Sequence, residues 1–128
     1  MDDAPQPSSI DGLLLTRDLM FTSKVTGTAA MLGLRIEVLG SIDSLQSHMS
    51  TTPPRAVFLD LSCADFVPKD VIDRLTISPR PVVIAFGSHV DVARLEAARQ
   101  ACCDEVMPRS AFSATLPSLL QQACKPTA

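Results

Sequence analysis

The chain has 128 residues, 46% of them hydrophobic and 20% charged, which is enough for one globular core and leaves no room for a second. Eleven Lys and Arg against fourteen Asp and Glu give a formal charge of -3, which argues against a basic footprint for the phosphates of nucleic acid. No apolar run approaches the roughly 18 to 20 residues that cross a bilayer, and Met1-Asp2-Asp3-Ala4-Pro5 is acidic where a secretion signal would be basic. A cytoplasmic location is expected.

Cys63, Cys102, Cys103 and Cys124 form no C-x-x-C pair, and the adjacent Cys102-Cys103 is an awkward geometry for a disulfide or a zinc clip; all four read as ordinary thiols. His48 and His89 lie far apart with no partner motif, so neither a zinc hydrolase nor a Ser-His-Asp enzyme is announced. The absence of Trp and Tyr removes the stacking platforms of single-strand binders.

In chain order, residues 1–10 (MDDAPQPSSI) combine prolines, serines and acids that cannot repay their ordering entropy, which predicts a disordered tail. Gly12 opens Leu13-Leu14-Leu15-Thr16, an uninterrupted apolar run that reads as a central parallel strand buried on both faces. Phe21, Val25, Ala29 and Leu32 then recur at helical spacing from Leu19 onward, with Gly33 as the stop and Gly27 as a weak point. Arg35-Ile36-Glu37-Val38-Leu39 alternates polar and apolar residues, as an edge strand does. Ser41 is placed to cap a helix carrying Ile42, Leu45 and Met49, which Thr51-Thr52-Pro53-Pro54 ends.

Ala56-Val57-Phe58-Leu59-Asp60 is a second buried strand. Pro68 suits a first helical position ahead of the stripe Val71, Ile72 and Leu75. Val82-Val83-Ile84-Ala85-Phe86 is the most hydrophobic strand, and Gly87-Ser88 turns toward a helix from about Val90 to Ala101 with Val92, Leu95, Ala98 and Cys102 facing inward. Glu105-Val106-Met107 makes a fifth strand, and Ser113 is placed to cap a final helix to Ala123 that presents Leu116, Leu119 and Leu120. Alternating strands and helices imply a parallel sheet covered on both sides by right-handed crossovers. The expected fold is an α/β flavodoxin-like three-layer sandwich with strand order 2-1-3-4-5, formed by residues 11–124, with 125–128 as a C-terminal tail. Leu14, Phe58, Ile84 and Val106 are expected in its core.

Sites in open α/β sheets lie beyond the carboxyl ends of the strands, which here carry Arg17-Asp18, Asp60, Phe86-Gly87-Ser88 and Pro108-Arg109. At this point the segments LLLTRDL, AVFLDLS, PVVIAFGSH and CDEVMPRSAF stand in an order and spacing that resemble the receiver domains of two-component response regulators, from Leu13 to about Ala123. The resemblance implies that Asp60 matches the aspartate that accepts a phosphoryl group from a histidine kinase. It also implies that Arg17 and Asp18 stand where two acids would hold Mg2+, and that Phe86 replaces a phosphate-binding Ser or Thr. Val106 replaces a switching aromatic, and Arg109-Ser110 replaces a lysine and proline. Ser88 lies two residues beyond the hydroxyl position.

These departures define a degenerate pocket of Arg17, Asp18, Phe86, Ser88 and Arg109 around Asp60. Counting Arg17 as inward-facing, Asp18, Asp60, Arg17 and Arg109 sum to zero charge, so no cofactor is expected; an Arg17 pair with Asp60 or Asp18 would also occupy the oxygen that attacks phosphorus. The expected function is a pseudo-receiver: an atypical response-regulator receiver domain that works as a phosphorylation-independent protein-interaction module in signal transduction, with no catalytic residue. Its partner would be a signalling protein or a second copy, and Val90, Ala93, Ala97 and Ala101 offer a small-residue face for it. The alternative is a working receiver with Asp60 phosphorylated and Mg2+ held by Asp18 and Asp60. A flavin or nucleotide protein comes third, since no G-x-G-x-x-G or Walker loop is present.

Overall fold

The computed structural model describes residues 10–49 and 53–124; the expected tails, apart from Ile10, and Thr51-Thr52 lie outside them. Five strands form one parallel sheet: β1 (Gly12–Leu15), β2 (Ile36–Leu39), β3 (Ala56–Asp60), β4 (Val82–Gly87) and β5 (Glu105–Pro108). Their order is β2-β1-β3-β4-β5, and every neighbouring pair is parallel. The helices are α1 (Leu19–Met31), a 3-10 turn Ile42–Ser44 leading into α2 (Leu45–Met49), α3 (Pro68–Arg74), α4 (Val92–Gln100), α5 (Arg109–Ala114) and α6 (Leu116–Cys124).

Side-chain alternation along the central strands divides the core into two layers. Leu13, Leu15, Val57, Leu59, Val83 and Ala85 face α2, α3 and α4, where Leu45, Met49, Val71, Leu95 and Ala98 meet them. Leu14, Ala56, Phe58, Ile84 and Phe86 face α1, α5 and α6, and there the filling is aromatic, with Phe21 and Phe112 joining Phe58 and Phe86. Phe86 and Phe112 stack with centroids 4.2 Å apart, and Phe21 lies 4.9 Å from Phe86. Packing favours glycine at position 12, because a Cβ there would stand 2.9 Å from Ile36 Cδ1 and 3.1 Å from Cys124 Sγ, and those side-chain ends would have to give way.

Local sequence accounts for the helix ends. Asp18 accepts the Phe21 N–H and starts α1, while Gly33 ends it in the left-handed region at φ 74. Ser41 accepts the Asp43 N–H at the start of the 3-10 turn, and Pro68 opens α3 in the first turn, where its missing N–H costs nothing.

Five expectations are corrected. Val92 and Cys102 do not face inward but are exposed; α4 begins only at Val92, and Cys102 takes a left-handed φ of 74 that turns the chain and half-buries Cys103 instead. Burial among apolar groups pushes the Cys103 thiol up to about 11. Val106 is half-buried, since β5 is an edge strand. The final helix is two helices, and Ser113 lies inside α5 rather than capping anything. Asp104 has a structural duty, accepting the Val83 N–H at 2.7 Å at the entrance to β4.

Candidate functional site

Strand register builds the rim where the sheet ends. Leu15 pairs with Leu59 and Asp60 with Phe86, so Thr16, Asp60 and Phe86 stand side by side with the same side-chain parity. They fall on the side of the sheet that Leu14, Phe58 and Ile84 share. Asp60 is 0% exposed, and a carboxylate so placed needs partners for its charge. Thr16 donates its hydroxyl to Asp60 Oδ2 at 2.6 Å. Oδ1 receives the Ser62 N–H at 3.0 Å, the Ser62 hydroxyl at 2.7 Å and Arg109 Nη2 at 3.0 Å.

Arg109 reaches this oxygen from the first residue of α5, directly after β5. Its other terminal nitrogen, Nη1, donates to Asp18 Oδ2 at 3.3 Å, so one guanidinium bridges both carboxylates, and Nη2 also donates to Ser62 Oγ at 3.0 Å. The guanidinium carbon lies 5.0 Å from the centre of the Phe21 ring, so the fork is held from below by aromatic surface. Asp18 keeps its capping role at the same time. The Phe21 backbone N–H holds its carboxyl below the ordinary value, and Arg109 adds to this despite the opposing effect of partial desolvation.

Arg17 is the main correction. It is half-exposed and pairs with neither Asp60 nor Asp18; Nη1 binds Asp65 at 2.7 Å, Nε donates to the Gly40 carbonyl at 3.0 Å, and the guanidinium lies 5.1 Å from the centre of the Phe66 ring. The reason is the period of two: one residue beyond Thr16, the chain presents its side chain to the opposite layer, where Phe66 belongs. The pocket charge is therefore not zero but a formal -1, from Asp18, Asp60 and Arg109 alone.

Ser88 is also absent from the Asp60 cluster. It is exposed and lines a neighbouring cavity of about 130 Å³, which Ser62 borders from the side of the cluster, together with Gly87, Asp91 and Arg94. Phe86 is fully buried, its ring in the aromatic layer rather than in an open pocket. Val90, Ala93 and Ala97 are exposed and Ala101 half-buried, and exposed Val92 joins them. Two residues at the carboxylate escaped the sequence reading, Thr16 and Ser62. Strand parity was the available signal for the first, and the Asp-x-Ser spacing of an Asp-initiated turn for the second.

A divalent cation shared by Asp18 and Asp60 would need the space between them, and a positive charge is already there. At an effective dielectric of about 20, two unit positive charges 4 Å apart repel by about 4 kcal/mol, and a divalent ion doubles that. The donor set as arranged does not fit such an ion. Among the described residues no group of three or more His, Cys, Asp or Glu side chains is placed to hold a metal.

No protein-family model matches the chain, and no curated protein matches it by sequence. Solved structures do match its shape. A response regulator signal receiver domain from Bermanella marisrubri superposes with a TM-score of 0.73 at 18% identity, over 91% of this chain and all (100%) of that one. The fold is that of a receiver domain. A response regulator receiver protein from Burkholderia phymatum gives a TM-score of 0.73 at 17% identity, covering 94% of this chain and 98% of its own. The phosphorylated cyanobacterial phytochrome response regulator RcpA gives 0.72 at 8% identity, covering 94% and 98%. The receiver fold thus spans almost the whole chain, and among the described residues no helix is long and apolar enough to cross a membrane.

Proposed function

We propose that this receiver fold serves as a non-enzymatic signalling module that works by holding a protein partner and does not depend on phosphorylation. The observation that carries this reading is the state of Asp60: the carboxylate is inaccessible, and both of its oxygens are engaged by the four contacts from Thr16, Ser62 and Arg109. In-line attack on phosphorus needs a free carboxylate oxygen facing the donor, and phosphoryl transfer depends on positioning and on neutralising the transferred oxygens. Here the nucleophile is spent on internal donors. Phe86 puts a ring where a hydroxyl would be needed, and its stacking on Phe112 ties it to the core.

The contact surface in this reading is the outer side of α4 with the residues flanking its two ends, where Val90, Val92, Ala93 and Ala97 are exposed and Ala101 is half-buried. Small and branched apolar side chains there allow close approach of a second element. The partner is a signalling protein of the same compartment or a second copy of the chain, in the cytoplasm, and no cofactor takes part.

Incubation with acetyl phosphate and Mg2+ is expected to leave the intact mass unchanged. Proteins retained from the native cytoplasm by the tagged chain are expected to be kept by Asp60→Asn and lost by Ala97→Arg. A stoichiometric adduct that disappears in Asp60→Asn overturns this reading in favour of a working receiver. One observation favours that second reading: Arg109 lies 3.0 Å from Asp60, close enough for a guanidinium to meet a phosphoryl group on that carboxylate.

A further inference from the structure

The rim holds two carboxylates from different elements whose approach must be paid for by a cation. Asp60 closes β3, and Asp18 caps α1. Their charges face the same small volume, and the Arg109 fork sits across it, with Nη1 on Asp18 at 3.3 Å and Nη2 on Asp60 at 3.0 Å. A single-point cation such as an ammonium group donates from one nitrogen, whereas the planar guanidinium reaches two acceptors from two nitrogens held in fixed relation. The fork is not free to swing away, because Ser62 Oγ accepts from Nη2 and the Phe21 ring supports its face. Thr16 closes the far oxygen of Asp60 from the other side.

We propose that Arg109 is the resident cation of this rim: its tethered guanidinium takes the place between Asp18 and Asp60 that a divalent metal ion would need, so the chain is held in one metal-insensitive arrangement. Removing the guanidinium then uncovers a latent cation site rather than merely weakening the protein. The ligand class is a small, hard, oxygen-seeking divalent cation, because the donors left behind are two carboxylates with the Thr16 and Ser62 hydroxyls beside them. This inference deepens the functional reading above but concerns metal binding alone, so its failure is distinct from that of the partner proposal, which acetyl phosphate and partner retention test.

The probe is Mn2+, followed by the loss of its free-ion electron paramagnetic resonance signal, with Mg2+ as competitor and thermal unfolding as a second readout. The unmodified chain is expected to show no saturable binding at millimolar Mn2+ and no shift in Tm with Mg2+. Arg109→Ser is expected to bind one Mn2+, to weaken by about tenfold or more when Asp18→Asn is added, and to gain Tm on addition of Mg2+. Should Arg109→Ser fail to fold, Arg109→Gln carries the same test, since its amide can still donate to a carboxylate but brings no charge; metal binding above that of the unmodified chain is expected. One-to-one binding by the unmodified chain that is lost in Asp60→Asn overturns the proposal. So does a folded Arg109→Ser or Arg109→Gln that binds no more Mn2+ than the unmodified chain.

Discussion

Arg17 and Arg109 leave the same end of the same sheet, and both make ion pairs and lie against aromatic rings, yet they serve different purposes. Arg17 is 50% exposed and its partner Asp65 69% exposed, so that pair sits in water. Arg109 is 32% exposed, but its partner Asp60 is wholly buried. An exposed pair gains little from Coulomb attraction because solvent screens it and holding two long side chains costs entropy. A buried carboxylate depends on its partners, since losing one leaves charge in a low-dielectric surrounding. The lesson is that the burial of the acid, and not the presence of an arginine at a strand end, decides which ion pair holds the site.

The sharpest way to break the comparison is Arg109→Ala, which is expected to destabilise the fold by about 3 kcal/mol, the low end for breaking a buried pair because three donor contacts to Asp60 remain. Denaturant titration measures it, and a change no larger than that of Arg17→Ala would erase the distinction. Thr16→Val removes the donor on Asp60 Oδ2 while conserving shape, and is expected to cost about 1 to 3 kcal/mol. A neutral result in the same titration would mean that another donor replaces it.

Asp18 offers a pH test. Its folded carboxyl lies below the ordinary value of 3.8, first through the Phe21 N–H and then through Arg109. Its contribution is therefore full above that value and is lost as pH falls through the lower folded value. The difference in stability between the parent chain and Asp18→Asn is expected to be constant at neutral pH and to shrink only in acid; a difference that instead grows toward acid pH would reverse the sign. The smallest effect is expected from Arg17→Ala, about 0.5 kcal/mol and reduced further by salt. Equilibrium unfolding at low and high ionic strength checks it.

Much of the architecture was legible because it rests on local periodicity. The apolar runs at 13–15, 56–59 and 82–86 mark strands covered on both faces, and the alternation with helices leaves few topologies once crossovers are right-handed. Edge placement of β2 followed from its alternating residues. The break at Thr115 and the exposure of Val92 escaped because helix ends depend on where the preceding strand delivers the chain, which spacing alone does not state.

At the site, Asp18, Asp60 and Arg109 were found by their positions at strand ends and by resemblance, and the structure brings these three together. Arg17 was misplaced although parity along β1 already assigned Thr16 to the side of Asp60 and Arg17 to the other. Ser62 needed the turn after β3, where a carboxylate meets the N–H two residues on.

The order of apolar and polar residues by itself determined the sheet, its layers and the acid at the end of β3, since burial of a strand on two faces is written in consecutive side chains. Only the tertiary structure decided which arginine neutralises that acid. That choice depends on strand register, on the side each residue faces and on how deeply the carboxylate is sunk, and these follow from the packing of segments far apart in the chain.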